Sequence, residues 1–161
     1  MWAKVSDNST QSPEAAGSLD DDFAFTQAGE NARLVVHWIE AHNSRDLEEM
    51  LACTAEDLDF HPLRLTWRDA RADAYLGHAG LRLWFVDLED CGVQHLLLPA
   101  EVQENGTDEV LLLGSVDVPG HSSVAPFCGL YEVSDGLISR ARHYISDRQT
   151  MEALGLIQPI E

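Results

Sequence analysis

Cations are scarce in this chain. Ten lysines and arginines stand against 28 aspartates and glutamates, for a formal net charge of −18, and Lys4 is the one lysine. Nucleic-acid backbones and anionic membrane surfaces both need clustered cations. The balance argues against both as partners and suits a soluble protein. Cysteine is sparse too. Cys53, Cys91 and Cys128 are scattered and form no CxxC pair, so the usual zinc and thioredoxin signatures are missing and a reduced compartment fits. No apolar run reaches the roughly 18 residues that a membrane span requires. Met1–Asp22 has no apolar centre of the signal-peptide kind. The expected location is the cytoplasm.

What is present suits one domain with one core: 161 residues, 45% of them hydrophobic. Residues 1–25 are polar and read as a flexible acidic arm, with residues 26–161 as the folded domain. Leu34, Val35, Trp38, Ile39 and His42 recur at helical spacing and predict a helix over Glu30–Asn43. A shorter helix over Asp46–Cys53 follows. Asp57–Leu65 alternates and predicts a strand that ends near Pro62. Trp67–Leu76 is irregular. A helix from Gly80 ends at Cys91, closed by Gly92. Four strands follow, with turn signals at Asn105-Gly106, Pro119-Gly120-His121 and Asp135-Gly136, and a closing helix capped by Asp147. Helices first and hairpins afterwards indicate an α+β fold: a curved antiparallel sheet packed by N-terminal helices. Such a sheet forms a cone whose open end is the expected pocket.

Three segments resemble the nuclear transport factor 2-like superfamily in its SnoaL-like branch. They are Val36-His37-Trp38 through Leu58-Asp59-Phe60-His61-Pro62, Tyr75-Leu76-Gly77-His78-Ala79-Gly80-Leu81-Arg82-Leu83-Trp84-Phe85, and Tyr131 through Asp147 with Arg142-His143-Tyr144. The resemblance implies a cystatin-like α+β barrel. It also implies kinship with ketosteroid isomerases, polyketide cyclases and limonene-epoxide hydrolases, and with relatives that bind without chemistry, so the fold does not settle the function.

In the cyclases and epoxide hydrolases the last strand carries a catalytic aspartate. Counting from the turn residue Asp135, that position falls on His143. Imidazole, with an ordinary pKa of about 6.5, can give or take a proton near neutrality. His143 is therefore either an acid/base group or a core histidine bonded to a backbone neighbour. The epoxide hydrolases also use an arginine with an aspartate on a middle strand. Here Leu111–Asp117 supplies Asp117 and no arginine, which counts against epoxide hydrolysis. Asp117 is a candidate partner or base, and His121 a candidate supporting group. Trp38, His61, Trp67, Tyr75, Trp84, Phe127, Cys128 and Tyr131 are the candidate lining residues, and walls of this kind suit an apolar, flat ligand. If Ser134 pairs Leu137 and the ladder runs on unbroken, Cys128 faces His143, a pair that is nucleophilic or merely packed. The histidines show no spacing that puts two on one helical face, so no metal is expected, and no cofactor. The function expected is cofactor-free proton transfer on a small apolar polyketide-, terpenoid- or steroid-like molecule, by an isomerase, cyclase, dehydratase or hydrolase. The alternative is a ligand-binding or dimerisation module of the same fold. A homodimer is expected, formed through Leu96, Leu98 and Leu112 on the hairpin strands.

Overall fold

The computed structural model describes residues 29–63, 74–92, 94–118, 120 and 124–159. The N-terminal arm, Trp67 and His121 lie outside the described residues. Helix α1 spans Glu30–Asn43 and buries Val35, Trp38, Ile39 and His42. Its first turn is satisfied from the sheet: the Ala32 N–H donates to Glu104 Oε2 at 2.8 Å, a carboxylate at the positive end of the helix dipole. Helix α2, Leu47–Ala52, is capped by Asp46, whose side chain accepts from the Glu49 N–H. Strand β1 spans Thr54–His61 and the short β2 Tyr75–Leu76. Helix α3, Gly77–Cys91, ends on Gly92 at φ +69, where a left-handed residue is needed. Strands β3 (Leu96–Asn105), β4 (Glu109–Asp117), β5 (Ala125–Ser134) and β6 (Leu137–Tyr144) follow, then helix α4, Arg148–Ala153. Among the described residues no helix is long and apolar enough to cross a membrane.

The six strands form one sheet in the order β2-β1-β6-β5-β4-β3. Every neighbouring pair is antiparallel except β1 and β6, which run parallel with Phe60 opposite Ala141. The α+β class holds, but the sheet is mixed rather than antiparallel throughout, and it is open rather than closed. The cause is connectivity: β1 and the last strand meet only after α3 and three further strands have been laid down.

The two faces of the sheet are covered differently. Trp38 and Ile39 of α1 and Leu81, Trp84 and Leu88 of α3 join Phe60, Leu112, Phe127 and Tyr131 in the main core. On the opposite face a smaller cluster of Leu111, Cys128, Met151 and Ile157 lies under α4 and the segment after it. Leu112 is buried in the main core, so it cannot join Leu96 and Leu98 on an outward dimer surface; those two are 38% and 40% exposed.

Candidate active site

A bulge places the central histidine. At the start of the β5–β6 hairpin Ser134 pairs Leu137 and Val133 pairs Ile138. Glu132 then pairs Arg140, leaving Ser139 unmatched. From there the ladder is offset, and His143 lies opposite Gly129 while Cys128 lies opposite Tyr144. The expected pairing of Cys128 with His143 is thus corrected. Side chains alternate across a strand, so the thiol goes to the α4 face and the imidazole to the main core. Burial against apolar neighbours raises the Cys128 pKa to about 11, which suits a packed hydrophobe rather than a nucleophile.

His143 points inward and is buried. Its Nε2 lies 2.8 Å from the Tyr131 hydroxyl. Edge-to-face rings surround it: Phe127 at 5.0 Å, Phe60 at 5.4 Å and Trp38 at 5.9 Å between centroids. The Trp38 indole N–H is committed elsewhere, donating to Thr54 Oγ1 at 3.0 Å. Gly129 makes room for the pair. A Cβ there would stand 2.5 Å from the Tyr131 hydroxyl oxygen and 2.7 Å from its ring. Burial, assisted by His95, drives the His143 pKa down to about 3. Burial, then the Cys128 sulfur, pushes the Tyr131 phenol well above its usual value. Both groups are therefore neutral at pH 7. Two neutral arrangements satisfy this contact: the phenol donates to an unprotonated Nε2, or Nε2–H donates to the phenol oxygen and leaves the phenol hydrogen free.

A second polar station lies one helical turn along α1. Asn43 holds the start of β3: its Nδ2 donates to the Leu97 carbonyl at 2.8 Å, and its Oδ1 accepts from the Leu97 N–H at 2.9 Å. That Oδ1 is 3.0 Å from His42 Nδ1. Since Asn43 Oδ1 is an acceptor, His42 Nδ1 must donate, and Nε2 is left as an acceptor. This Nε2 is buried and has no hydrogen-bond partner among the described residues. The His42 ring stacks on Trp84 at 5.2 Å and meets His95 at 4.9 Å. Burial, then His95, holds His42 well below the usual imidazole range. Beside this station is a cavity of about 10 Å³ bounded by Pro62, Leu63, Tyr75, Trp84, Asp87, Leu88 and His95, room for about one water. The Tyr75 hydroxyl donates to Asp87 Oδ2 at 2.6 Å.

Trp38, Tyr75, Trp84, Phe127 and Tyr131 thus gather with His143 in one aromatic interior. Asp117 does not join them. Its neighbour Val116 is in the main core, so alternation along β4 turns Asp117 to the other face. His61 follows inward Phe60, is half exposed, and pairs with Asp59 at 3.0 Å. His42 and His95 are the polar groups that sequence reasoning did not assign to the site. The signals were present: His42 lies one turn beyond Trp38, and His95 precedes inward Leu97 at period two.

Larger hollows lie elsewhere. One of about 460 Å³ is on the outer sheet face, lined by Leu111, Leu130, Arg140, Arg142 and Ile157 among others. Another of about 500 Å³ is an apolar groove between α2 and α3, with Leu47, Phe85 and Val86. Neither reaches the His143 imidazole. Among the described residues one group of metal-type donors comes together: His37, Glu49 and Cys53, where α1 meets α2.

No family model matches the chain, and no curated protein matches it by sequence. Solved structures do match. TerC, crystallised with polyporic acid, aligns with a TM-score of 0.64 at 21% identity, over 81% of this chain and 100% of that one. An NTF2-like protein of unknown function from Burkholderia pseudomallei aligns at 0.63 and 22% identity, over 82% of this chain and 100% of its own. A candidate polyketide cyclase from Xanthomonas campestris aligns at 0.59 and 24%, over 77% and 95%. With α1 and α3 on one face of an open, mixed six-stranded sheet and α4 on the other, the alignments give this chain the nuclear transport factor 2-like fold.

Proposed function

We propose that this chain binds a small, largely apolar molecule in the aromatic interior, with the Tyr131–His143 pair as the polar contact at its inner end. The observation that carries the reading is the 2.8 Å bond between a phenol and an imidazole, inside a wall of Trp38, Phe60 and Phe127. Ligand sites are mostly apolar with a few placed polar groups, and this interior has that composition. The cavity bordered by Leu63, Tyr75, Trp84, Asp87 and His95 has room for about one water, so a ligand gains its space by displacing side chains of this interior. His42 Nε2 is a second buried acceptor, behind the Trp84 and His95 rings. One structural neighbour was crystallised with polyporic acid and another is a candidate polyketide cyclase, which supports a ligand of the polyketide, terpenoid or steroid kind.

Binding is favoured over chemistry by the state of the imidazole. With its pKa near 3, His143 holds a proton too weakly to be an effective base at pH 7. The reading as an isomerase, cyclase, dehydratase or hydrolase survives in one form: His143 Nε2–H donates to the Tyr131 oxygen and orients it, and the freed phenol hydrogen is donated to a developing oxyanion. The homodimer and the cytoplasmic location stand as proposals. Exposed Leu96 and Leu98 support the first, and the free thiols Cys53, Cys91 and Cys128 the second.

The test is mass spectrometry of small molecules released from the purified protein, followed by thermal shifts with apolar ring compounds that carry a carbonyl or hydroxyl. A binder should raise the melting midpoint by mass action. Tyr131→Phe should weaken binding by about tenfold, the loss of one buried hydrogen bond. Equal affinity in Tyr131→Phe would remove the pair from the site, and turnover of the bound compound would favour the enzymatic form.

A further inference from the structure

The metal-donor spacing in this fold joins unlike residues on two helices. Glu49 and Cys53 lie one turn apart, at the middle and the C-cap of α2, and so share a face. His37 reaches them from α1. Its Nε2 stands 2.8 Å from Glu49 Oε2, and one ligand atom from each of His37, Glu49 and Cys53 lies within 4.8 Å of the others. On the far side of the same ring, His37 Nδ1 is 3.8 Å from Glu40 Oε1. We infer that His37 Nε2, a Glu49 carboxylate oxygen and Cys53 Sγ form a zinc(II) site on the outside of the helical layer.

The donor set selects the ion. Nitrogen, oxygen and sulfur together suit a borderline divalent metal and are the usual ligands of zinc. Calcium and magnesium take oxygen alone. Zinc bonds of about 2.0–2.3 Å in a tetrahedron place neighbouring ligand atoms roughly 3.3–3.7 Å apart, so the His37–Glu49 contact opens slightly to admit the ion. Glu40 has the place of the carboxylate that commonly accepts the second ring N–H of a metal-bound histidine and fixes its tautomer. Protein-free coordination positions go to water. The Cys53 thiol loses its proton to solvent on binding. Without metal, burial and the Glu49 carboxylate raise the Cys53 pKa. A divalent cation between the two reverses that effect.

The site is distinct from the ligand interior. Trp38, next to His37, and Thr54, next to Cys53, turn into the core, and Cys53 is itself buried at the border of that core, whereas His37 and Glu49 are each about half exposed and face solvent. Zinc would tie α1 to α2 from outside, and this assignment stands apart from the Tyr131–His143 reading.

Chelator-treated full-length protein titrated with Co²⁺ and with Zn²⁺ tests it. One equivalent should bind, Co²⁺ should develop a thiolate charge-transfer absorption, and Zn²⁺ should raise the melting midpoint. Cys53→Ser should abolish the absorption, while Cys91→Ser should keep it. His37→Ala and Glu49→Gln should each weaken Zn²⁺ binding more than about tenfold. Both side chains are exposed enough that the metal-free midpoint should stay near wild type, which separates lost ligation from lost folding. Absence of binding near one equivalent, or binding that persists unchanged in His37→Ala and Cys53→Ser, would overturn the site.

Discussion

The two faces of the sheet handle polar groups in opposite ways. On the main-core face, His143 and Tyr131 are sealed among rings and satisfy each other. His42 is anchored through Asn43 to the β3 backbone. All stay neutral because burial disfavours their charged forms. On the other face, charges are kept near water and several are paired, although the Nε atoms of Arg140 and Arg142 are buried with no hydrogen-bond partner among the described residues. Arg140 meets Asp59 at 3.5 Å and Glu132 at 3.3 Å, and Arg148 meets Glu101 and Glu152. Among the described residues, the small patch around Cys128 and Met151 is dry. A sheet in which each strand residue faces one side or the other can thus keep a neutral, low-dielectric interior within a chain of net charge −18. The difference makes the inner face the costly one to disturb.

The largest effect should come from Trp38→Ala. Trp38 is fully buried and touches Phe60, Tyr131 and His143. A core tryptophan cut to alanine costs about 3–5 kcal/mol. Denaturant unfolding measures it. A loss below about 1 kcal/mol would mean that this interior is not tightly packed.

Acid should strike the same face next. His143 has an ordinary pKa of 6.5 when unfolded and about 3 when folded. Between those values the unfolded chain binds the proton and the folded one does not, so stability falls as pH falls. It is fully present above about pH 6.5 and is lost progressively toward pH 3, at up to about 1.4 kcal/mol per pH unit for this group. His42 adds to the slope in the same direction. Urea midpoints between pH 7 and pH 5 should therefore drop, and His143→Gln should flatten the dependence. An identical slope in that variant would show that the loss comes from other groups, His42 among them.

Gly129→Ala comes third. The added methyl meets the Tyr131 hydroxyl at 2.5 Å, so the tyrosine must move and His143 loses its partner. Overpacking of this kind costs about 1–3 kcal/mol. The ultraviolet difference spectrum of Tyr131 should shift with it, and an unshifted spectrum would mean that the ring does not lie over Gly129.

What the sequence made legible follows from how far each signal reaches along the chain. Helix α1 was read to its ends, because Trp38, Ile39 and His42 carry a local period. The Asp135-Gly136 turn was read because its residues demand it, and the structure has Asp135 at φ +55 and Gly136 at φ +76. Fold class followed from the order of elements. The parallel β1–β6 pair was not legible, since no local pattern records which distant strand lies beside Phe60. Ser139 is polar and unremarkable, yet its bulge decides that His143 faces Gly129. His143 could thus be singled out, but its partner could not. Tyr131 was expected only as a wall.

The smallest effect should be at Asp117. It ends β4 opposite Leu96, on the face away from His143. Asp117→Asn removes a charge from a partly exposed strand end and leaves the main core untouched. Substitutions of this kind usually change stability by no more than about 0.5 kcal/mol. Ligand affinity should also hold, because no main-core side chain moves. The variant gives the comparison between faces its sharpest form. If Asp117→Asn weakened binding as strongly as Tyr131→Phe, the ligand would have to reach both sides of the sheet. A single inner site cannot do that, so the hollow beside Arg140 and Arg142 on the outer face would become the place to look.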